Sequence, residues 1–199
     1  MINFFENINS EAELLPLERK KLYEFIQEKK PKVVFEVGTG SGGGSTYFIC
    51  RSLKDNAIES TFYTCDPTRS PSTDFISQFP FLKYFKDYSF NLINHLIKNN
   101  IKPNFLMFDG PEDPSVAISD IKKLEPFIDT GTFLCIHDYE TDRRGYDGSK
   151  STKAAQIRPF LEQSKNWKKI IYLSGLEKNS DFDTLPFDSV GFVIFEYIK

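Results

Sequence analysis

A chain of 199 residues with a formal net charge of −3 is long enough for one sizeable core and reads as a single domain spanning 1–199; the acidic balance argues against a broad nucleic-acid footprint. Cys50, Cys65 and Cys135 form an odd set without CxxC spacing, which argues against a disulfide framework or a zinc centre and for reduced, intracellular thiols. No apolar run reaches membrane length and no secretory pattern stands at the N-terminus, so a cytoplasmic protein with no membrane partner is expected.

Before Pro31, the residues Leu14, Leu17, Leu22, Phe25 and Ile26 stand among charges in an imperfect helical stripe, with Pro16 as an early boundary. Residues 1–30 therefore read as a helical extension covering one side of a sheet. The apolar run 33–37 lies between Pro31 and Gly38 and predicts an inner strand buried on both faces. It runs into a glycine-rich turn, Gly38-Thr39-Gly40-Ser41-Gly42-Gly43-Gly44, whose small side chains let backbone approach a ligand closely. Ser45 and Thr46 then cap or begin a helix through Leu53, and the N–H groups at that turn favour an acidic ligand tail.

A second strand over 61–65 delivers Asp66 at its carboxyl end. There an acid can accept hydrogen bonds from both hydroxyls of a ribose, or else begin a turn at Pro67. Residues 70–79 are turn-rich and give no clear element. A third strand over 81–86 precedes Asp87-Tyr88-Ser89 and a helix through Ile97; these three residues face an adenine ring or cap the helix. The fourth strand, 101–108, ends in Asp109-Gly110, and a helix marked by Val116, Ile121 and Leu124 follows. The fifth, 132–136, ends in His137-Asp138-Tyr139. Acids thus recur at three strand ends, the edge at which open α/β sheets bind ligands. Residues 140–151, with Arg143-Arg144, suit a lid or a solvated loop. A helix broken by Pro159 is expected over 152–167, then two strands, 167–173 and 189–197, added in antiparallel fashion.

Glu36-Val37-Gly38-Thr39-Gly40-Ser41-Gly42, Asp66 and the closing strand pair together resemble class I S-adenosylmethionine-dependent methyltransferases over most of 31–197. The resemblance implies an α/β, Rossmann-like fold: an open seven-stranded, mostly parallel sheet with an antiparallel last strand and helices on both faces. It implies S-adenosylmethionine (SAM) as cofactor, with Glu36, Gly38, Thr39, Gly40, Gly42, Ser45, Asp66, Asp87, Tyr88 and Asp109 around it.

More narrowly, Gly42-Gly43-Gly44-Ser45, Phe108-Asp109-Gly110 and His137-Asp138-Tyr139 resemble small O-methyltransferases of the catechol and macrolide-sugar type. By that likeness Asp109 and Asp138 hold Mg2+, and the substrate is a small hydroxylated metabolite, such as a sugar or phenolic compound. His137, Asp138 and Asp109 are the candidate catalytic residues, His137 as a general base if an acceptor hydroxyl comes within reach. A homodimer is compatible with this pattern, and a nucleic-acid substrate finds less support because no extra recognition domain is evident. Two alternatives stand beside this reading. Gly38, Gly40 and Gly43 also fit the G-x-G-x-x-G of a nicotinamide oxidoreductase, although no Tyr-x-x-x-Lys signature accompanies them. A non-catalytic nucleoside-binding protein would keep the same cleft.

Overall fold

The structure is a computed structural model, and it describes residues 5, 14–110, 113–139, 152–173 and 191–199. Among the described residues six helices and seven strands follow one another: α1 (Pro16–Lys29), β1 (Val33–Val37), α2 (Ser45–Asp55), β2 (Thr61–Cys65), α3 (Thr73–Gln78), β3 (Leu82–Phe85), α4 (Ser89–Lys98), β4 (Phe105–Phe108), α5 (Pro114–Leu124), β5 (Phe133–Ile136), α6 (Thr152–Glu162), β6 (Trp167–Leu173) and β7 (Phe192–Tyr197). The strands form one sheet in the order β3-β2-β1-β4-β5-β7-β6. All neighbours are parallel except β7, which inserts antiparallel between β5 and β6. The expected reversal of the last strand is observed.

Side chains alternate along the strands between two cores, as the two-residue pleat requires. Phe35, Leu106, Phe108, Leu134, Ile136, Val193 and Phe195 point to the face covered by α4, α5 and α6. Val34, Phe105, Met107, Cys135, Phe192 and Ile194 point to the other, covered by α1, α2 and α3. Burial on both faces explains why the central strands are short uninterrupted apolar runs. The order reverses at β1, which has β2 on one side and β4 on the other. That reversal parts the connecting helices to opposite faces and leaves a crevice beyond the carboxyl ends of β1 and β4.

The helix ends obey local chemistry. Pro16 occupies the first turn of α1, where its missing N–H costs nothing, and the Leu15 N–H donates to Glu18 Oε2 at 2.8 Å. The helix stops at Lys30, whose φ of 48° is left-handed, just before Pro31. Three local differences from the sequence reading emerge. The stretch 70–79 contains α3, started by Ser72, whose hydroxyl accepts from the Phe75 N–H at 3.1 Å. Residues 101–104 precede β4 rather than belonging to it, and α6 ends at Glu162 because Trp167 opens β6. The anticipated lid at 140–151 and the polar connection between the last two strands lie outside the described residues. Among the described residues no helix is long and apolar enough to cross a membrane.

Candidate active site

A cleft of about 560 Å³ opens beyond β1, β2 and β4. Its floor is the glycine turn from Gly38 to Ser41, one wall is the run from Cys65 to Arg69, and the other is formed by Tyr88, Ser89, Asp109, Gly110 and Val116. The floor lies low because two backbones meet there with no side chain between them. A Cβ on Gly38, whose φ is +103°, would stand 2.6 Å from the Gly110 nitrogen, and one on Gly110 would stand 2.8 Å from Val37 Cγ1. Only glycine fits at either position.

Asp66 stands at the rim. One carboxylate oxygen accepts from the Gly40 N–H at 3.0 Å; the other accepts from the N–H groups of Thr68 and Arg69, both at 2.8 Å, and from the Thr68 hydroxyl at 2.9 Å. Partial burial would raise its pKa, but the N–H donors of Arg69, Thr68 and Gly40 outweigh burial and hold it below the usual carboxylate range. Asp66 is therefore a persistent anion tied to the glycine turn.

Glu36 lies on the far side of the same turn, fully buried. Its carboxylate accepts from the hydroxyls of Ser45 and Thr46, each at 2.6 Å, and of Thr64 at 2.7 Å. Loss of water dominates these contacts, and the pKa is pushed up to about 7. Glu36 does not line the cleft; it joins β1, β2 and the first turn of α2 from behind.

A second buried cluster sits beyond β4 and β5. His137 is fully buried, with Nδ1 2.8 Å from Asp109 Oδ1 and Nε2 3.2 Å from Glu18 Oε2. Asp138 Oδ2 lies 3.7 Å from Nδ1. Burial alone would lower the imidazole pKa, yet the charges of Asp109, Asp138 and Glu18 carry it well above its usual value. Both ring nitrogens are thus committed to carboxylates inside the protein, and the imidazole has no lone pair directed at the cleft. His137 therefore stands behind the cleft, whereas Asp109 lines it. Asp138 adopts a left-handed backbone with φ of +58°, a conformation aspartate tolerates better than most residues.

One ligand atom each from Asp109, His137 and Asp138 lies within 4.8 Å of the others. The imidazole is occupied by its carboxylate partners, which leaves two carboxylates, a set that fits a largely hydrated Mg2+.

Of the residues singled out in the sequence, the structure brings Gly38, Thr39, Gly40, Asp66, Tyr88 and Asp109 to the cleft wall. Glu36, Ser45, His137 and Asp138 support that wall from behind. Gly42, with φ of +90°, faces the Phe75 ring, where a Cβ would approach within 3.0 Å. Asp87 accepts from the Tyr88 N–H at 2.8 Å and the Asn91 amide at 2.7 Å, so its carboxylate organises the start of α4. Sequence reasoning did not assign Val116, Arg69 or Glu18 to the site. Glu18 lies 119 positions from His137, a separation that no local motif encodes.

This sheet order, with β7 reversed and the cleft at the β1–β4 reversal, defines the class I SAM-dependent methyltransferase fold. Solved structures share it. An O-methyltransferase from Bacillus cereus in complex with SAH (S-adenosylhomocysteine) matches with a TM-score of 0.67 and 14% identity, over 94% of this chain and 83% of that one. TomG from Streptomyces achromogenes, an O-methyltransferase involved in tomaymycin synthesis and in complex with SAM, gives 0.64 and 11% over 92% and 81%. An rRNA methylase from Streptococcus thermophilus gives 0.59 and 12% over 92% and 97%. No curated protein matches the chain. Residues 35–139 match the methyltransferase-domain family, and the chain belongs to that family; it is a SAM-dependent methyltransferase.

Proposed function

We propose that the cleft binds SAM with its ribose on Asp66, and that the enzyme transfers the methyl group to a hydroxyl of a small metabolite, a sugar or a phenolic compound. The observation that carries the cofactor placement is the Asp66 carboxylate, an anion at the end of β2 tied to the Gly40 N–H at 3.0 Å. Backbone N–H groups of the glycine turn serve the donor's amino-acid carboxylate, and Tyr88 and Ser89 bound the adenine end. A small acceptor is supported by the cleft wall, where Arg69 is the one cationic side chain among the described lining residues, against Asp66 and Asp109. A polyanionic acceptor would meet little positive charge there.

The chemistry is largely a matter of alignment. The acceptor hydroxyl donates to Asp109, its oxygen attacks the methyl carbon as the carbon–sulfur bond breaks, and the proton passes to the Asp109 carboxylate. The products are the methyl ether and S-adenosylhomocysteine. If Mg2+ binds, Asp109 and Asp138 would hold it, with only Asp109 on the cleft side, and it would supply Lewis-acid polarisation of an oxygen ligand.

Calorimetric titration with S-adenosylhomocysteine, with NAD alongside, tests the cofactor reading. Saturable binding is expected, weakened about 10- to 100-fold in Asp66→Asn, the loss of one or two charge-assisted hydrogen bonds. Folded protein that binds NAD and not S-adenosylhomocysteine overturns it. Methyl incorporation from labelled SAM into phenols and sugars, compared with rRNA fragments, tests the acceptor: transfer to RNA alone overturns the small-molecule reading.

A further inference from the structure

We infer that Glu18, from the N-terminal helix, is a positioning residue for Asp109: acting through His137, it sets the direction in which the Asp109 carboxylate faces the cleft. The inference rests on the placement of the methyl donor beside Asp109 proposed above.

The observations form a continuous chain. The Leu15 N–H donates to Glu18 Oε2 at 2.8 Å, which anchors that oxygen to the first turn of α1. The same oxygen lies 3.2 Å from His137 Nε2, and His137 Nδ1 lies 2.8 Å from Asp109 Oδ1. The other Asp109 oxygen lies 3.1 Å from the Ser45 hydroxyl oxygen, whose single proton is shared between Asp109 and Glu36, the latter at 2.6 Å. Glu18, His137 and Ser45 are buried and absent from the cleft wall; Asp109 alone of the four reaches it. Its two oxygens are therefore gripped from behind by different elements, one by β5 braced on α1 and the other by α2.

Burying an imidazole with its carboxylates is a poor way to stabilise a fold, because desolvation of the charges offsets most of their attraction. It is an effective way to orient a group, since each partner restricts the rotamer of the next. Arg19 adds to the bracing of α1: its Nε donates to the Leu14 carbonyl at 2.6 Å, and its guanidinium lies 5.7 Å from the Phe48 ring centroid on α2. No residue of α1 lines the cleft, yet this helix sets the direction of a carboxylate that does.

The test compares two ligands of the same cleft in 1 mM EDTA: S-adenosylhomocysteine, and sinefungin, the analogue with a carbon-bound ammonium in place of the methylsulfonium. A correctly aimed Asp109 favours the ammonium, so the ratio of the two affinities reports its direction. Glu18→Asp keeps an acid in the first helical turn but withdraws the carboxylate from His137. The sinefungin preference is expected to fall about tenfold, the value of one charge-assisted contact, with S-adenosylhomocysteine affinity changed less than twofold. Glu18→Gln, which keeps an oxygen at the same reach for both Leu15 and His137, is expected to retain most of the preference. Asp109→Asn should lose the preference outright, and adding Glu18→Asp to it should cost nothing more, the non-additivity of residues acting through one another. Glu18 as a mere structural residue predicts the reverse: a lower melting temperature, an unchanged ratio, and additive losses in the double variant. That result overturns the inference while leaving the cofactor reading intact, whereas absence of S-adenosylhomocysteine binding to the wild type overturns both.

Discussion

Glu36 and Asp66 flank the same glycine turn, each bound by several donors, and their chemistry diverges. Glu36 lies beneath the turn, fully buried, with three hydroxyls around it and a pKa pushed up to about 7. Asp66 lies above it at the rim, partly exposed, with three backbone N–H groups on it and a pKa below the ordinary range. A serine or threonine hydroxyl rotates and brings an acceptor lone pair with its proton, whereas backbone N–H groups are donors only and held in place. Neutral hydroxyls do not repay complete removal of a charge from water; oriented N–H dipoles at a solvated edge do. The lower acid is thus a proton-holding joint between elements, and the upper one a standing negative charge that a ligand can use.

The sharpest way to break this contrast is to remove the partition itself. Gly38→Ala places a Cβ 2.6 Å from the Gly110 nitrogen at a φ of +103°, so β1 and β4 must part at their carboxyl ends. A loss of at least about 3 kcal/mol is expected in denaturant unfolding, together with loss of S-adenosylhomocysteine binding.

Glu36→Gln removes only the titration beneath the turn. Because the folded state holds the Glu36 proton more tightly than the unfolded chain, native protein binds more protons between pH 4.5 and about 7, and wild-type stability falls as pH rises through that window. The size of the shift corresponds to about 3 kcal/mol. In thermal or denaturant melts the variant is expected to lack this decline and to be the more stable protein at pH 8, with the difference closing below pH 4.5. The Gln amide can donate to Ser45, which still has Asp109 at 3.1 Å to receive its own proton. An unchanged pH dependence would show that Glu36 is not the titrating group.

The smallest change tests which hydroxyl matters. Thr39 Oγ1 is 2.6 Å from Thr64 Oγ1, and Thr64 in turn donates to Glu36. Thr39→Val should cost about 1 kcal/mol, a melting shift of about 2–4 °C. The midpoint of the pH dependence should stay put, because Thr64 keeps its proton on Glu36.

Much of the fold was legible because it rests on local patterns. The run 33–37 followed by glycine, and the turn residues that bound each strand, announce alternating elements from neighbours in sequence alone. The short helix α3 was not legible: its six residues leave no buried side chain and show no usable period. For the candidate site, the strand-end position of Asp66 and Asp109 was enough to put both in the cleft, since carboxyl ends of strands meet at one edge in this topology. His137 shared that position in the sequence but lies behind the cleft wall, because α1 covers it and Glu18 takes its second nitrogen.

What the chain's own pattern determined is therefore the succession of strands and helices, the glycine turn, and the edge at which acids collect; each depends on steric and solvation preferences of residues a few positions apart. Tertiary structure alone decided which acids face solvent and which are sealed. Burial and partner identity depend on contacts between residues far apart in sequence, as Glu18 with His137, and at Glu36 and Asp66 they set the charge that the carboxyl group carries.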